Sequence, residues 1–377
     1  MTGKIGREFE NFLATIQDLA SESTVWKSKP SWLEFVPNNV CNLRCIMCGQ
    51  ADGVPVVSMP KENSTELLDV LGPTITLWTP TALSEPLAND IRFIVEQARK
   101  HEIWLNVYTN AMLLTAARFE AMADRLFHLY ISIDSHVKEV FEALRVRAEL
   151  DTVVAHIKDV LPLAKARSVP VSFVAVLMAD NAPHIAEFVD FLADLGAAEQ
   201  GCALRLQPML YNAKGCAGRN VTDRFTPAEI HGFLDRACER ARARKMTLIS
   251  TFDEPYNRIV PGTPPPARLL MPDMMGQLIE RVQREFPSFC SMASGYLKVH
   301  PSGTVHPCCR APDELEMGNV YQQPIEAIWN GPKYQEFRRR MFTGDYPTPC
   351  KTCDVLVANP HWKALQKARE AGSAPVS

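Results

Sequence analysis

The sequence predicts an α/β protein: an open parallel barrel of six strand–helix units, (β/α)6, followed by a small α+β domain. From Trp32 the chain alternates apolar runs with helical patterns, the signature of βαβ units. Six such runs and five intervening helices fill roughly 180 residues, fewer strands than the eight of a closed barrel. After Phe289 the pattern changes to two alternating runs joined by a Gly-containing turn, which reads as a β-hairpin.

Residues 1–30 are polar with one amphipathic stretch and read as a helical lead-in. The barrel spans 31–215, with strands expected at Leu33–Val36, Thr74–Trp78, Ile103–Tyr108, Leu129–Ile133, Val171–Leu177 and Leu204–Pro208. Helices are expected at Thr65–Leu71, Asp90–His101, Ala116–Ala123, Leu150–Ala166 and Ala182–Leu195. Function in such a sheet gathers at the carboxyl ends of the strands. Residues 216–288 read as a linker or lid, entered through the loop Tyr211–Arg219, with a helix over Pro227–Lys245 and a proline-rich stretch at Ile259–Pro272. The run Pro264-Pro265-Pro266 fits neither helix nor central strand, so it is a lid over the barrel mouth or a surface excursion. Residues 289–355 make the small domain and 356–377 a tail.

At 377 residues, the chain has room for one large domain and one smaller one. A net charge of −3 gives no global field towards nucleic acid or anionic membrane, and the basic run Arg338-Arg339-Arg340 is short. No stretch approaches the ~20 apolar residues of a membrane span. The N-terminus lacks the apolar core of a signal peptide, so the expected compartment is the cytoplasm. There the 11 cysteines would be reduced and available for metal.

Three of those cysteines lie in the run Cys41-Asn42-Leu43-Arg44-Cys45-Ile46-Met47-Cys48. Such spacing lets one short loop wrap a metal cluster and present three thiolates to one side. Four thiolates close an iron–sulfur cube, as in ferredoxins; three leave one iron of a [4Fe–4S] cluster open to a small molecule. Zinc normally takes four ligands in two separated pairs, which this loop does not supply. The octapeptide resembles the cluster loop of the radical S-adenosylmethionine (SAM) superfamily. The resemblance implies that the open iron binds the amino and carboxylate groups of SAM. It also implies reductive cleavage of SAM to methionine and a 5′-deoxyadenosyl radical, which removes hydrogen from a substrate. The implied partners are a small-molecule substrate and a reductant such as flavodoxin or ferredoxin.

The same resemblance extends to the strand ends. Leu83-Ser84-Glu85-Pro86 aligns with the family's Gly-Gly-Glu-Pro element, which binds the methionine amino group; here Leu83 and Ser84 replace the glycines. Thr109-Asn110 stands where the family has Thr-Asn-Gly, and Ser132-Ile133-Asp134 where it has Ser-x-Asp-Gly. Arg145 matches an arginine that can pair with the SAM carboxylate, a contact guanidinium makes bidentately. The implied cofactor site is Met47, Ser84, Glu85, Thr109, Asn110, Ser132, Asp134 and Arg145.

Further along, Cys290, Cys308, Cys350 and Cys353 resemble the C-terminal SPASM/twitch module, a hairpin plus helix that carries auxiliary [4Fe–4S] clusters. No cysteine follows Cys353, so the shorter twitch form with one auxiliary cluster is expected, giving two [4Fe–4S] clusters in all. A zinc knuckle is the alternative, because Cys-x-x-Cys pairs also suit zinc. Cys202, Cys216 and Cys238 have no spacing logic and read as small buried residues. Cys309, beside a cluster ligand, is a candidate hydrogen donor, a substitute ligand or a packing residue.

The resemblance to twitch enzymes such as aminocyclitol dehydrogenases points to a small polar, carbohydrate-like substrate. So does a lead-in of about 30 residues, too short for a separate leader-peptide-binding domain. Oxidation through the auxiliary cluster is the expected outcome. The alternatives are epimerisation with Cys309 as thiol donor, peptide maturation, or a non-catalytic iron–sulfur carrier or scaffold.

Overall fold

The computed structural model describes residues 3–81, 83–209, 214–252, 256–266, 273–357 and 359–370. All six expected strands form: β1 (Trp32–Phe35), β2 (Leu77–Thr79), β3 (Trp104–Thr109), β4 (Leu126–Ser132), β5 (Val171–Val176) and β6 (Ala203–Gln207). They pair in parallel, in sequence order. The helices between them span Lys61–Leu71, Ile91–Lys100, Ala116–Met122, Leu150–Ala166 and Ile185–Asp194, with a further short helix at Lys138–Leu144. Local caps set two of their starts: the Asp90 carboxylate accepts from the Phe93 N–H, and the Thr115 hydroxyl from the Arg118 N–H.

Strand alternation sorts the two faces of the sheet. Leu105, Val107, Leu129, Ile131, Phe173, Ala175, Leu204 and Leu206 are wholly buried in the core. Their neighbours Tyr108, His128, Tyr130, Ser132, Arg205 and Gln207 turn to the opposite face and stay partly open. The chain thus builds a polar concave face over an apolar convex one.

The sheet does not stop at six strands. β7 (Thr247–Ser250) adds in parallel to β6, and β8 (Arg258–Val260) returns antiparallel to it. Both come from the segment expected to be linker or lid; strands this short beside a proline run carry too little alternation to be read. Nor does the proline run cover the mouth. A Cβ on Gly201, just before the amino end of β6, would lie 2.1 Å from the Pro264 carbonyl oxygen, and the φ of +67° at Gly201 suits glycine. Prolines 264–266 therefore lie at the floor of the barrel, opposite the carboxyl ends of the strands. Residues 267–272 of that stretch, and 210–213 of the loop after β6, lie outside the described residues.

The expected hairpin also forms, but it extends the barrel sheet instead of standing apart. β9 (Tyr296–Val299) runs parallel to β1, in register from Trp32↔Tyr296 to Phe35↔Val299. β10 (Thr304–His306) and β11 (Gly318–Asn319) follow antiparallel. In a flat sheet Tyr108 on β3 would lie three strands across and four residues along from Tyr296 on β9, roughly 20 Å away. Tyr108 nevertheless bears electrostatically on Tyr296, as a curled sheet requires.

A second seam ties the lead-in to the C-terminal helices. Asn330 accepts from the Trp26 N–H at 2.8 Å and donates to the Trp26 carbonyl at 2.9 Å, while the Trp329 indole donates to the Ser28 carbonyl at 2.8 Å. The buried Arg338 guanidinium donates to the Thr24 carbonyl at 2.9 Å and lies 4.2 Å from the Trp26 ring, 4.6 Å from that of Trp329 and 5.1 Å from that of Tyr334. Arg338→Ala removes the cation and leaves a cavity between these rings, so chemical denaturation is expected to show a loss of roughly 2–4 kcal/mol. A loss below about 0.5 kcal/mol, the level of an ordinary surface change, would show that this seam does not hold the two segments together.

Candidate active site and iron–sulfur centres

The cysteine loop leaves β1 and is strapped down by its own backbone. The Arg44 N–H donates to the Val146 carbonyl and the Ile46 N–H to that of Leu144, both at 3.0 Å, and the Cys48 N–H closes a turn on the Cys45 carbonyl. Cys41, Cys45 and Cys48 are half-buried along it. Two side-chain donors approach the sulfurs: Asn110 Nδ2 lies 4.0 Å from Cys41 Sγ, and Arg145 Nη1 lies 3.9 Å from Cys45 Sγ. Burial pushes the Cys41 thiol up to about 11, so ligation has to be coupled to proton loss driven by the metal. Met47 packs below the loop against Leu144, Met178 and Cys216.

Glu85 is the hub of the neighbouring strand ends. Its carboxylate accepts from the Thr109 hydroxyl at 2.7 Å, the Asn110 N–H at 2.8 Å and the Leu87 N–H at 3.1 Å. Burial pushes its pKa up, against three hydrogen bonds that favour the charged form. Before it, Leu83 holds a φ of +52°, the left-handed conformation that glycine adopts without strain. The Leu83 carbonyl accepts from Gln50 Nε2 at 2.5 Å, and the same amide donates to the Asn39 carbonyl at 2.7 Å. Ser84 is half-buried beside it.

Asp134 and Arg145 form a buried bidentate pair, with Nε–Oδ2 at 2.5 Å and Nη2–Oδ1 at 3.3 Å. Asp134 also accepts from the Val176 N–H at 2.8 Å, which fixes it between β4 and β5. Ser132 ends β4 on the concave face.

In the C-terminal domain Cys290, Cys308, Cys350 and Cys353 line one pocket with Cys309, Met292, Ala293, Arg310, Phe337, Met341, Val355 and Leu356. Burial pushes the Cys350 thiol up to about 12 and that of Cys308 well above its ordinary value. The buried Tyr334 hydroxyl has no hydrogen-bond partner among the described residues, and Cys308 bears on its ionisation. An O–H donor left over within the electrostatic reach of Cys308 suits a site whose ligand sulfurs carry negative charge. Among the described residues no three His, Cys, Asp or Glu side chains converge on a single-ion site. A cubane asks for less convergence, because each thiolate binds a different iron.

Between the two cysteine sites lies the lumen. Glu34 on β1 is buried, accepts a hydrogen bond from the Tyr296 hydroxyl and pairs with Lys298 Nζ at 3.6 Å. Across the lumen His128 stacks on Tyr130 at 4.2 Å and Tyr130 on Tyr108 at 4.1 Å, with Arg205 over Tyr130 at 5.7 Å. Cys309 is solvent-accessible, yet near enough to Tyr108, Tyr296 and Glu34 to be felt electrostatically by each, as a thiol lining a concavity would be.

Two sequence families match the chain over these sites: the Radical SAM superfamily over residues 35–192 and SPASM, an iron-sulfur cluster-binding domain, over residues 290–354. The chain is a radical SAM enzyme with a SPASM domain. Solved structures of similar fold include Streptococcus suis SuiB bound to S-adenosylmethionine, 14% identical over 91% of this chain and 74% of that one, with a TM-score of 0.61. SuiB bound to precursor peptide SuiA matches at 14% identity over 91% and 73%, TM-score 0.60. Native anSMEcpe with bound AdoMet matches at 17% identity over 86% and 87%, TM-score 0.55. No curated protein matches at significant similarity. The radical SAM domain binds SAM and a [4Fe–4S] cluster, and the SPASM domain binds auxiliary iron–sulfur clusters. No helix among the described residues is long and apolar enough to cross a membrane.

The geometry refines what each expected site residue of this radical SAM enzyme can do. Glu85, Thr109 and Asn110 are joined in one hydrogen-bonded unit beside Cys41, and Asp134 and Arg145 in another beside Cys45. Arg145 gives two of its five N–H groups to Asp134 and turns Nη1 towards Cys45 Sγ. Met47 faces an apolar pocket under the loop. Gln50, Glu34, Tyr296, Lys298 and the aromatic wall escaped sequence reading. Only Gln50, two residues past the last loop cysteine, carried a positional signal.

Glu85→Gln places an amide donor where at least one of two N–H groups and a hydroxyl needs an acceptor. SAM affinity is expected to fall about tenfold or more, the scale of one charge-assisted hydrogen bond, with iron content unchanged. Equal SAM affinity in calorimetric titration would remove Glu85 from the cofactor site.

Proposed function

We propose that this radical SAM enzyme acts on a small polar, carbohydrate-like substrate held in the lumen, and that the outcome is oxidation. The observation that carries the reading is the concave face itself, where Glu34, Tyr296, Lys298, Tyr108, Tyr130, His128 and Arg205 offer hydrogen bonds and charge. An apolar substrate would take water from these groups and offer them no hydrogen bond in return, which costs free energy. Cys41, Cys45 and Cys48 would hold the SAM-binding cluster, and Cys290, Cys308, Cys350 and Cys353 one auxiliary cluster. With these groups bound, reductive SAM cleavage supplies a 5′-deoxyadenosyl radical for hydrogen abstraction, and the auxiliary cluster an electron acceptor. The chain's own residues bind and orient: the Glu34 carboxylate, held by Tyr296 and Lys298, would take a proton from a substrate hydroxyl.

Anaerobically reconstituted protein is expected to hold about eight irons per chain, two cubanes. Replacing Cys41, Cys45 and Cys48 together with alanine should halve that figure and abolish 5′-deoxyadenosine formation. Stoichiometric zinc with four irons would overturn the auxiliary-cluster assignment.

Cys309 supports a second reading, because its thiol is solvent-accessible and bears electrostatically on Tyr108 and Tyr296 of the lumen. A thiol donor would return a solvent-exchangeable hydrogen and make the reaction an epimerisation. In heavy water oxidation leaves no deuterium at the reacting carbon, which is the expected result. One deuterium at an inverted centre, lost in Cys309→Ala, would replace oxidation by epimerisation. A peptide substrate, such as SuiB binds in the structure with SuiA, would instead show as product mass on a peptide.

A further inference from the structure

We propose that Arg205 anchors an oxyanion, a carboxylate or phosphate group, carried by the substrate. The inference deepens the reading of the lumen as substrate chamber and rests on it. Arg205 rises from the middle of β6, level with Val174 on β5 and Ile249 on β7. It is half-buried, and its Nε is fully buried without a hydrogen-bond partner.

Among the described residues the carboxylates of the lumen and of the strand ends are engaged elsewhere. Glu34 is held by Tyr296 and Lys298, Asp134 by Arg145, and Glu85 by Thr109, Asn110 and Leu87. Among the described residues Arg205 is left with the face of the Tyr130 ring and no anion. A desolvated guanidinium without a counter-ion is costly, and a ligand that brings one offsets that cost. The planar fork of guanidinium matches carboxylate and phosphate oxygens in pairs.

The surroundings make Arg205 the one uncompensated cation of this wall among the described residues. Burial, with the charge of Arg205 adding to it, pushes His128 down to about 3, so its imidazole is neutral and contributes no positive charge. Lys298, across the lumen, is neutralised by Glu34. The stacked His128, Tyr130 and Tyr108 rings give a flat flank along which a ring or chain can lie with its anionic end at Arg205.

Inorganic phosphate is the minimal probe. Reconstituted enzyme carrying SAM would be titrated with phosphate by calorimetry, beside Arg205→Gln and Arg205→Lys. The wild type is expected to bind one phosphate in the millimolar range. Arg205→Gln should weaken that binding about tenfold or more, and Arg205→Lys less, because it keeps the charge but loses the fork. Iron content and SAM affinity should stay at wild-type level in both variants. No saturable phosphate binding, or equal binding in Arg205→Gln, overturns the proposal. So does competition between phosphate and SAM with weakened SAM binding in Arg205→Gln, which would assign Arg205 to the cofactor's own carboxylate. Loss of substrate-free SAM cleavage in the wild type would instead strike at the proposed function.

Discussion

The parallel pairing of β9 with β1 is the contact on which the arrangement of both cysteine sites depends. β1 delivers the chain into the Cys41–Cys48 loop, and β9 delivers it into the hairpin that carries Cys308 and Cys309. The two strands run side by side in fixed register, but β10 turns back antiparallel, so Cys308 and Cys309 lie towards the amino end of β1 while the Cys41–Cys48 loop leaves its carboxyl end. Parallel neighbours have to be joined by long crossovers, and here the crossover is almost the whole barrel. The auxiliary site is thus built into the edge of the catalytic domain's own sheet.

That pairing also explains the buried Glu34. A carboxylate on the concave face of β1 would be unpaired in an isolated barrel, and burial alone would favour its neutral form. β9 brings Tyr296 and Lys298 to it, one residue at the start of the strand and one two positions on, as alternation requires. The pair spans the two domains and lines the lumen at once. The same economy appears at Asp134 and Arg145, which tie β4 and β5 to the cysteine loop.

Much of the catalytic half was legible in sequence. The loop cysteines are spaced within eight residues, and local spacing survives any tertiary context. The strands β1 and β3–β6 were legible because buried parallel strands read as nearly continuous apolar runs bounded by helices. The helix Leu150–Ala166 was legible to the residue, since its apolar face repeats over four turns. Less legible were β7 and β8, where three or four residues give no period. The proline run gave a true local statement, neither helix nor central strand, but not its side of the barrel, which only the approach to Gly201 decides.

By itself the sequence determined the chemistry-bearing units: a three-thiolate loop, a second set of four cysteines, and a barrel of alternating strands and helices between them. These are properties of residue type and short spacing, fixed before the chain closes on itself. Only the tertiary structure decided which side chains share the lumen. Glu34 and Lys298 are 264 residues apart, and Tyr108, Tyr130 and Arg205 come from three strands. Each of them alone is an ordinary strand residue, and what makes them a chamber is the curl of the sheet and its register. Register is set by the pairing of distant strands, for which no single stretch of sequence carries the information.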